Sequence, residues 1–355
     1  MPLDPRKGYL DWLRGVGVIV MIQGHVIDSW TGGADRQRAA YDWITLVGGI
    51  GGAPVFLFLA GVALALAAGA RMRNGRSEAE VAALARRRAW QIFGLAFLFR
   101  LQSWVISGGA PRTLLKVDIL NVMGLSLVAA ALLWAAGRGR WWRALGLVAA
   151  AIAATMLTPV VRASGLLAPL PDPIEWYLRP APNAVTFTLF PWAGFVCAGA
   201  AVGLWLDAAR TAREERVTNV ALAATGAAIA LGGYAASFLP PIYAQTQFWT
   251  SSPTFFFVRL GIVVALVPLA YAWNGLDGRS PLCEFGRSSL FVYWIHVEMA
   301  YGVVSALLHR SLPLGQAYLG FVLLTLLLFG LVKAKNRAGT SWFLFRTPSG
   351  RSSSQ

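Results

Sequence analysis

Charge is what this chain of 355 residues has least of. Only 13% of its residues are Asp, Glu, Lys or Arg, about half the share found in an average soluble domain. A disordered chain or a basic arm for nucleic acid needs charge in quantity, so both classes are excluded. Cysteine is nearly as scarce, with Cys197 and Cys283 alone. Two thiols at different depths of a chain make neither a disulfide scaffold nor a four-ligand zinc site. No His, Cys and carboxylate set stands at metal-ligand spacing, so no metal is expected. No internal repeat is visible, which argues against the inverted-repeat transporters. The two signs of charge are also unequal: 16 acidic residues face 31 basic ones, a formal net charge of +15.

What the chain has instead is apolar length, at 57% hydrophobic residues. Continuous apolar runs of about 20 residues read as membrane-spanning helices. Ten are expected, at roughly 10–30, 46–70, 89–108, 117–136, 142–160, 184–206, 217–239, 253–273, 287–307 and 316–333. The fold class is therefore an all-α integral membrane protein, a polytopic bundle in the lipid bilayer. Residues 1–333 form the transmembrane domain and 334–355 a basic, Ser-rich tail expected to be disordered. The connector near 161–183 holds Pro169, Pro171, Pro173, Pro180 and Pro182 and is too broken for a continuous helix. The first span lacks an A-x-A exit and carries Asp11 and Arg14 at its start, so it is expected to be retained rather than cleaved. An even number of spans puts both termini on one side. That side collects 21 of the basic residues against seven on the other, which predicts cytoplasmic termini in the inner membrane of the cell. The excess positive charge thus reports topology.

Three basic residues remain inside spans: Arg14, Arg100 and Arg259. The acids in or at the edge of spans are Asp11, Asp28, Asp118 and Glu298, joined by His25 and His296. An ionisable group at depth costs on the order of 3 kcal/mol on insertion scales and is turned inward. At a rise of about 1.5 Å per residue, His25 lies roughly 22 Å from the cytoplasmic start of its span and Arg259 about 9 Å from the outer end of its own. Asp118 and Asn121 enter from the outer side, while Arg100 and Glu298 fall near the middle. These groups are expected to neutralise one another in one layer around a polar cavity open to the outer face.

The first span is the richest stretch. Asp11, Arg14, Val18, Met21, His25 and Asp28 follow a 3-4-3-4-3 spacing, one helical face. A guanidinium at the cytoplasmic end and an imidazole some 16 Å further along the same stripe suit a long ligand with a phosphate head, such as coenzyme A. His25 with Asp28 at i+3 has the spacing of a general base and the carboxylate that orients it. Structural readings stand beside these. Arg14 can snorkel to the headgroups, and a histidine in a span can be an interhelical hydrogen-bond partner, His296 being satisfied by Tyr293. Asp28 can be an ordinary outer-end acid, and His309, beside Arg310, is expected to be solvated.

The block Asp11-Trp12-Leu13-Arg14-Gly15, followed by Met21 and His25, resembles the opening of the heparan-α-glucosaminide N-acetyltransferase catalytic-domain family of transmembrane acyltransferases. The Arg14-to-His25 spacing also resembles the motif of bacterial membrane O-acyltransferases. Three further stretches are similar to the first family, in the expected order. They are Ala53 to Gly61 (APVFLFLAG), Phe190 to Gly194 (FPWAG) and Gly286 to His296 (GRSSLFVYWIH). The resemblance implies a ten- or eleven-span bundle that takes an acyl group, usually acetyl, from cytoplasmic acyl-CoA. The group passes to a hydroxyl or amine of an acceptor, typically a sugar, on the far side. It implies His25 as the catalytic histidine and Arg14 as a structural or CoA-side residue. The expected site is then His25 with Asp28 as the catalytic pair. Arg100, Asp118, Asn121, Arg259, His296 and Glu298 are candidates for polarising the thioester or lining the acceptor pocket, and no metal is needed. Direct transfer and an acyl-histidine intermediate both remain open, as do the acceptor, the acyl chain length and whether the chain is an oligomer. The rival functions are a transporter or flippase for a lipid-linked or small anionic solute, and an inert membrane scaffold.

Overall fold

The computed structural model of the chain describes residues 7–181, 185, 187–276 and 280–337. Within them the backbone is helical, with two isolated bridges in place of any sheet. In chain order the helices are α1 (Gly8–Trp30), α2 (Ala39–Gly51), α3 (Ala53–Arg73), α4 (Glu78–Ser107), α5 (Ile119–Ala136), α6 (Gly139–Ala163) and α7 (Asp172–Glu175). They continue as α8 (Leu189–Ala208), α9 (Ala212–Ala236), α10 (Pro253–Leu276), α11 (Pro281–Arg287), α12 (Ser289–Tyr301) and α13 (Leu314–Arg337). Among the described residues nine segments are long and apolar enough to cross a bilayer, α2 and α3 together forming one of them. The protein is an all-α polytopic membrane protein.

The tenth expected crossing, 287–307, is not one helix. Its apolar run is cut at both ends: α11 stops at Arg287, α12 lasts 13 residues, and Gly302 takes an extended backbone (φ −79°, ψ −178°) before a 3-10 stretch at Val303–Leu308. The broken segment still runs from one end of the bundle to the other. At its start Arg287 meets Asp11 of α1 at 3.1 Å. Past its end the amide of Leu312 donates to the carbonyl of Trp30 at 3.0 Å. Helix α13 then returns, and Lys333 pairs with Glu284 at 2.8 Å. Helix α1 therefore begins, and α13 ends, on one face of the bundle, here termed proximal; the end of α1 at Trp30 marks the distal face. Helix α13 continues through Arg337, so the first four residues expected in the tail are helical, and 338–355 lie outside the described residues.

Local chemistry starts the long helices. Ser77 with Glu80, Asp118 with Asn121, and Thr211 with Glu214 form capping boxes at α4, α5 and α9, each satisfying two backbone N–H groups the helix leaves unpaired. Lipid gives helices no hydrophobic reason to associate, so close packing of small residues does. Gly15 of α1 and Gly286 of α11 lie backbone against backbone: a Cβ on Gly15 would collide with the carbonyl of Leu282, and one on Gly286 with that of Asp11. Gly61 and Gly199 serve the α3–α8 crossing in the same way. One apolar core centres on α3, α8 and α10, and a second joins α1 to α12 and α13. Helix α1 is held between them, and α12 is brought alongside its distal half.

Candidate active site

Helix α1 carries His25, Asp28 and Ser29 on its last two turns. His25 Nδ1 lies 2.9 Å from Nε2 of His296 on α12. The ring planes differ by 10° with centroids 5.1 Å apart, so the imidazoles meet edge to edge. His296 is wholly buried, and its Nδ1 is 2.8 Å from the carbonyl oxygen of Val292, one turn back. A carbonyl only accepts. With both rings neutral, the proton of His296 is therefore on Nδ1, and its Nε2 presents a lone pair. His25 must then donate from Nδ1, which leaves the lone pair of its own Nε2 unshared. His25 is half-buried, so that nitrogen sits on a ring still open to a ligand. Backbone and imidazole fix both tautomers, without a carboxylate.

The expected pairing of His25 with Asp28 is not made. Asp28 Oδ2 accepts from the Tyr301 hydroxyl at 3.0 Å, and Oδ1 from Arg36 at 3.1 Å. Its carboxylate is drawn outward by these donors and is 52% exposed. Tyr301 stands edge-on to His25, centroids 5.5 Å apart, so Asp28 acts on His25 through its field and by holding Tyr301. His309, expected to be merely solvated, lies 3.3 Å from Ser29 Oγ. All three histidines of the chain thus gather at the distal end of α1.

A second polar group lies beyond Tyr293. Arg100 pairs with Asp118 at 3.5 Å. Asp118 Oδ1 accepts from the amides of Leu120 and Asn121, and Asn121 Oδ1 accepts from the amide of Asp118. Asn121 Nδ2 donates to the hydroxyl of Tyr177 at 3.3 Å. Burial pushes the Tyr177 phenol up to about 12, against the hydrogen bond from Asn121, which lowers it. Tyr177 therefore keeps its proton and can donate it. Tyr293 links the two groups. Its ring lies 5.8 Å from that of His296 and 5.7 Å from that of Phe99, and it feels the charges of both Asp118 and Arg100. Trp294 Nε1 donates to Gln102 Oε1 at 2.5 Å, tying α12 to α4.

Two candidates stand apart. Glu298 follows His296 by two residues, roughly 200° around the helix, and its Oε1 is buried with no hydrogen-bond partner. Arg259 of α10 is 6% exposed and lies over the rings of Phe255, Trp192 and Phe195 at 4.5, 5.2 and 5.7 Å. The expected mutual neutralisation of acids and arginines in one layer holds for Arg100 and not for Arg259, which has no acid partner among the described residues.

At the proximal end Arg14 lies 3.4 Å from Asp11, whose other oxygen takes Arg287. Lys335 donates to Ser288 Oγ at 2.8 Å and Lys333 to Glu284. Arg14 thus belongs to a cationic rim with Arg287, Lys333 and Lys335. Sequence reasoning missed these companions because it counted them only as markers of orientation. It also missed the role of His296: no spacing rule links residues 271 positions apart, although the fact that two of only three histidines fall inside spans was a usable signal.

Compared with known proteins, the sequence matches the heparan-alpha-glucosaminide N-acetyltransferase catalytic family over residues 6–247, about two-thirds of the chain. No curated protein matches it. The matched stretch carries Arg14, His25, Arg100, Asp118 and Asn121; Arg259, His296 and Glu298 lie beyond it. The chain belongs to this family of membrane N-acetyltransferases.

Proposed function

From that membership we propose that the protein transfers an acetyl group from acetyl-CoA to a hydroxyl or amine of a sugar-type acceptor, with His25 Nε2 as the general base. The observation that carries this reading is the His25–His296 hydrogen bond, which presents a lone pair on a ring that is not fully buried. In the proposed step the acceptor gives its proton to His25 Nε2 as its oxygen or nitrogen bonds the acetyl carbonyl carbon. The tetrahedral intermediate collapses with cleavage of the C–S bond, and the proton passes from His25 to the leaving thiolate, releasing CoA as the free thiol. While His25 is protonated, its Nδ1–H bond to His296 Nε2 becomes charge-assisted and strengthens, and the field of Asp28 favours the cation.

The proximal face, rich in Lys and Arg, is assigned to the cytoplasm. Acetyl-CoA would enter there, its phosphates on the rim of Arg14, Arg287, Lys333 and Lys335 and its arm running along α1 towards His25. Guanidinium and ammonium groups suit that headgroup by charge and by donor geometry. The acceptor would approach from the distal face, where Asn121 retains one N–H and Tyr177 its O–H for hydroxyl groups. The test is CoA thiol release by purified protein given acetyl-CoA and a panel of amino sugars. Acceptor-dependent release is expected. Passage of a solute into proteoliposomes with no thiol release for any acceptor would replace the enzyme by a transporter.

A further inference from the structure

The cations wholly or partly buried in this bundle are largely matched to acids. Arg14 has Asp11, Arg100 has Asp118, Arg143 has Glu78, and Lys7 has Glu215. Arg259 breaks the pattern. It is more than nine-tenths buried, and among the described residues no acid pairs with it and its Nε has no acceptor. The charge acting on it is of its own sign, that of Arg162 on the last turn of α6. Arg162 Nε is likewise buried without an acceptor. Of the two acids in the 164–188 connector, Glu175 is engaged by Arg179 at 3.2 Å and Asp172 is exposed.

Ring faces offset part of the burial of one guanidinium. They do nothing for the repulsion between two. A second cation whose field reaches the first is accounted for by a shared anion, because two guanidinium groups offer ten N–H donors in planar forks that match the oxygens of a carboxylate, sulfate or phosphate. Trp192 stands on the wall of this place and also packs in the distal cluster with Tyr177, so the location lies towards the distal end of the bundle, near the Asn121 network.

We infer that Arg259 and Arg162 form a binding subsite for an oxyanion, carried by a ligand that reaches the bundle from its distal face. The subsite is independent of the acyl-transfer reading and is tested without turnover. The full-length protein in a phosphate-free maltoside detergent is titrated with radiolabelled inorganic sulfate at constant ionic strength set with chloride. Saturable binding is expected; Arg259→Gln abolishes it and Arg162→Gln weakens it by about tenfold, the loss of one charge-assisted contact. Arg310→Gln, in a distal loop, leaves it unchanged. Should Arg259→Gln fail to give a monodisperse protein, Arg162→Gln and Arg259→Lys, which keeps the charge but not the fork, decide the matter. Displacement of sulfate by phosphatidylglycerol micelles would identify a lipid headgroup as the natural source, and lack of displacement a soluble anionic ligand. Absence of saturable binding, or equal binding by wild type and both Gln variants, overturns the subsite.

Discussion

Among single residues, what matters most is which atom orients His25. Proximity in sequence favours Asp28, three residues away on the same face. The structure gives that role to His296, because Tyr301 and Arg36 draw the Asp28 carboxylate outward. The two assignments predict different mutants. His296→Ala removes the acceptor that fixes the Nδ1–H tautomer and is expected to lower kcat by about 10²-fold with little change in KM for acetyl-CoA. Asp28→Asn removes the charge and one of the two acceptor oxygens that hold Tyr301 and Arg36, with no direct contact to His25 lost, and is expected to cost less than about tenfold, on the scale of a screened charge at a half-exposed site. Steady-state kinetics of both variants separates them; a larger loss in Asp28→Asn would return the orienting role to the carboxylate. The imidazole of His25, the Arg100–Asp118 layer and Asn121 were legible in the sequence because an ionisable group in an apolar run is conspicuous. Their partners were not, since side-chain direction at a helix end is decided by donors on other helices.

At the scale of elements, helix positions followed from apolar run length, and the capping boxes mark where α4, α5 and α9 begin. The break at 287–307 did not follow, because Gly302 within an apolar run is as compatible with a continuous transmembrane helix as with its end. The consequence is functional: a short α12, not tied to a full-length rigid rod, places His296 beside α1. The α1–α11 crossing sets that placement through Gly15 and Gly286. Gly286→Val is expected to push the two backbones apart, destabilising the protein by about 1–3 kcal/mol or more and separating Arg287 from Asp11. Thermal unfolding in detergent would show a lowered midpoint. Gly315→Val, where an added Cβ meets nothing within 4 Å, should leave the midpoint nearly unchanged.

For the whole molecule, charge asymmetry and shared ends agree. The sequence places 21 basic residues on one side, and the contacts of Lys7, Asp11 and Lys333 put the start of α1 and the end of α13 on one face. The proposed orientation is checked with single cysteines introduced into a Cys197→Ser, Cys283→Ser background. Arg38→Cys, on the distal side, should react with a membrane-impermeant maleimide in intact cells, and Arg76→Cys only after permeabilisation. The reverse pattern would invert the topology and place acetyl-CoA entry on the wrong face. Acetyl-CoA binding at the cationic rim should also weaken as salt rises, because exposed charges are screened within about 10 Å at 0.1 M, whereas the hydrogen bond between His25 and His296 should be indifferent to it.

The proposed role of His25 is that of the base in an acetyl transfer. It is tested most directly by following transfer of radiolabelled acetyl from acetyl-CoA to an amino-sugar acceptor by wild type and His25→Ala, with acetyl-CoA binding measured on both. Transfer is expected to fall by at least about 10²-fold with acetyl-CoA still bound. Transfer within a few-fold of wild type in His25→Ala would contradict it.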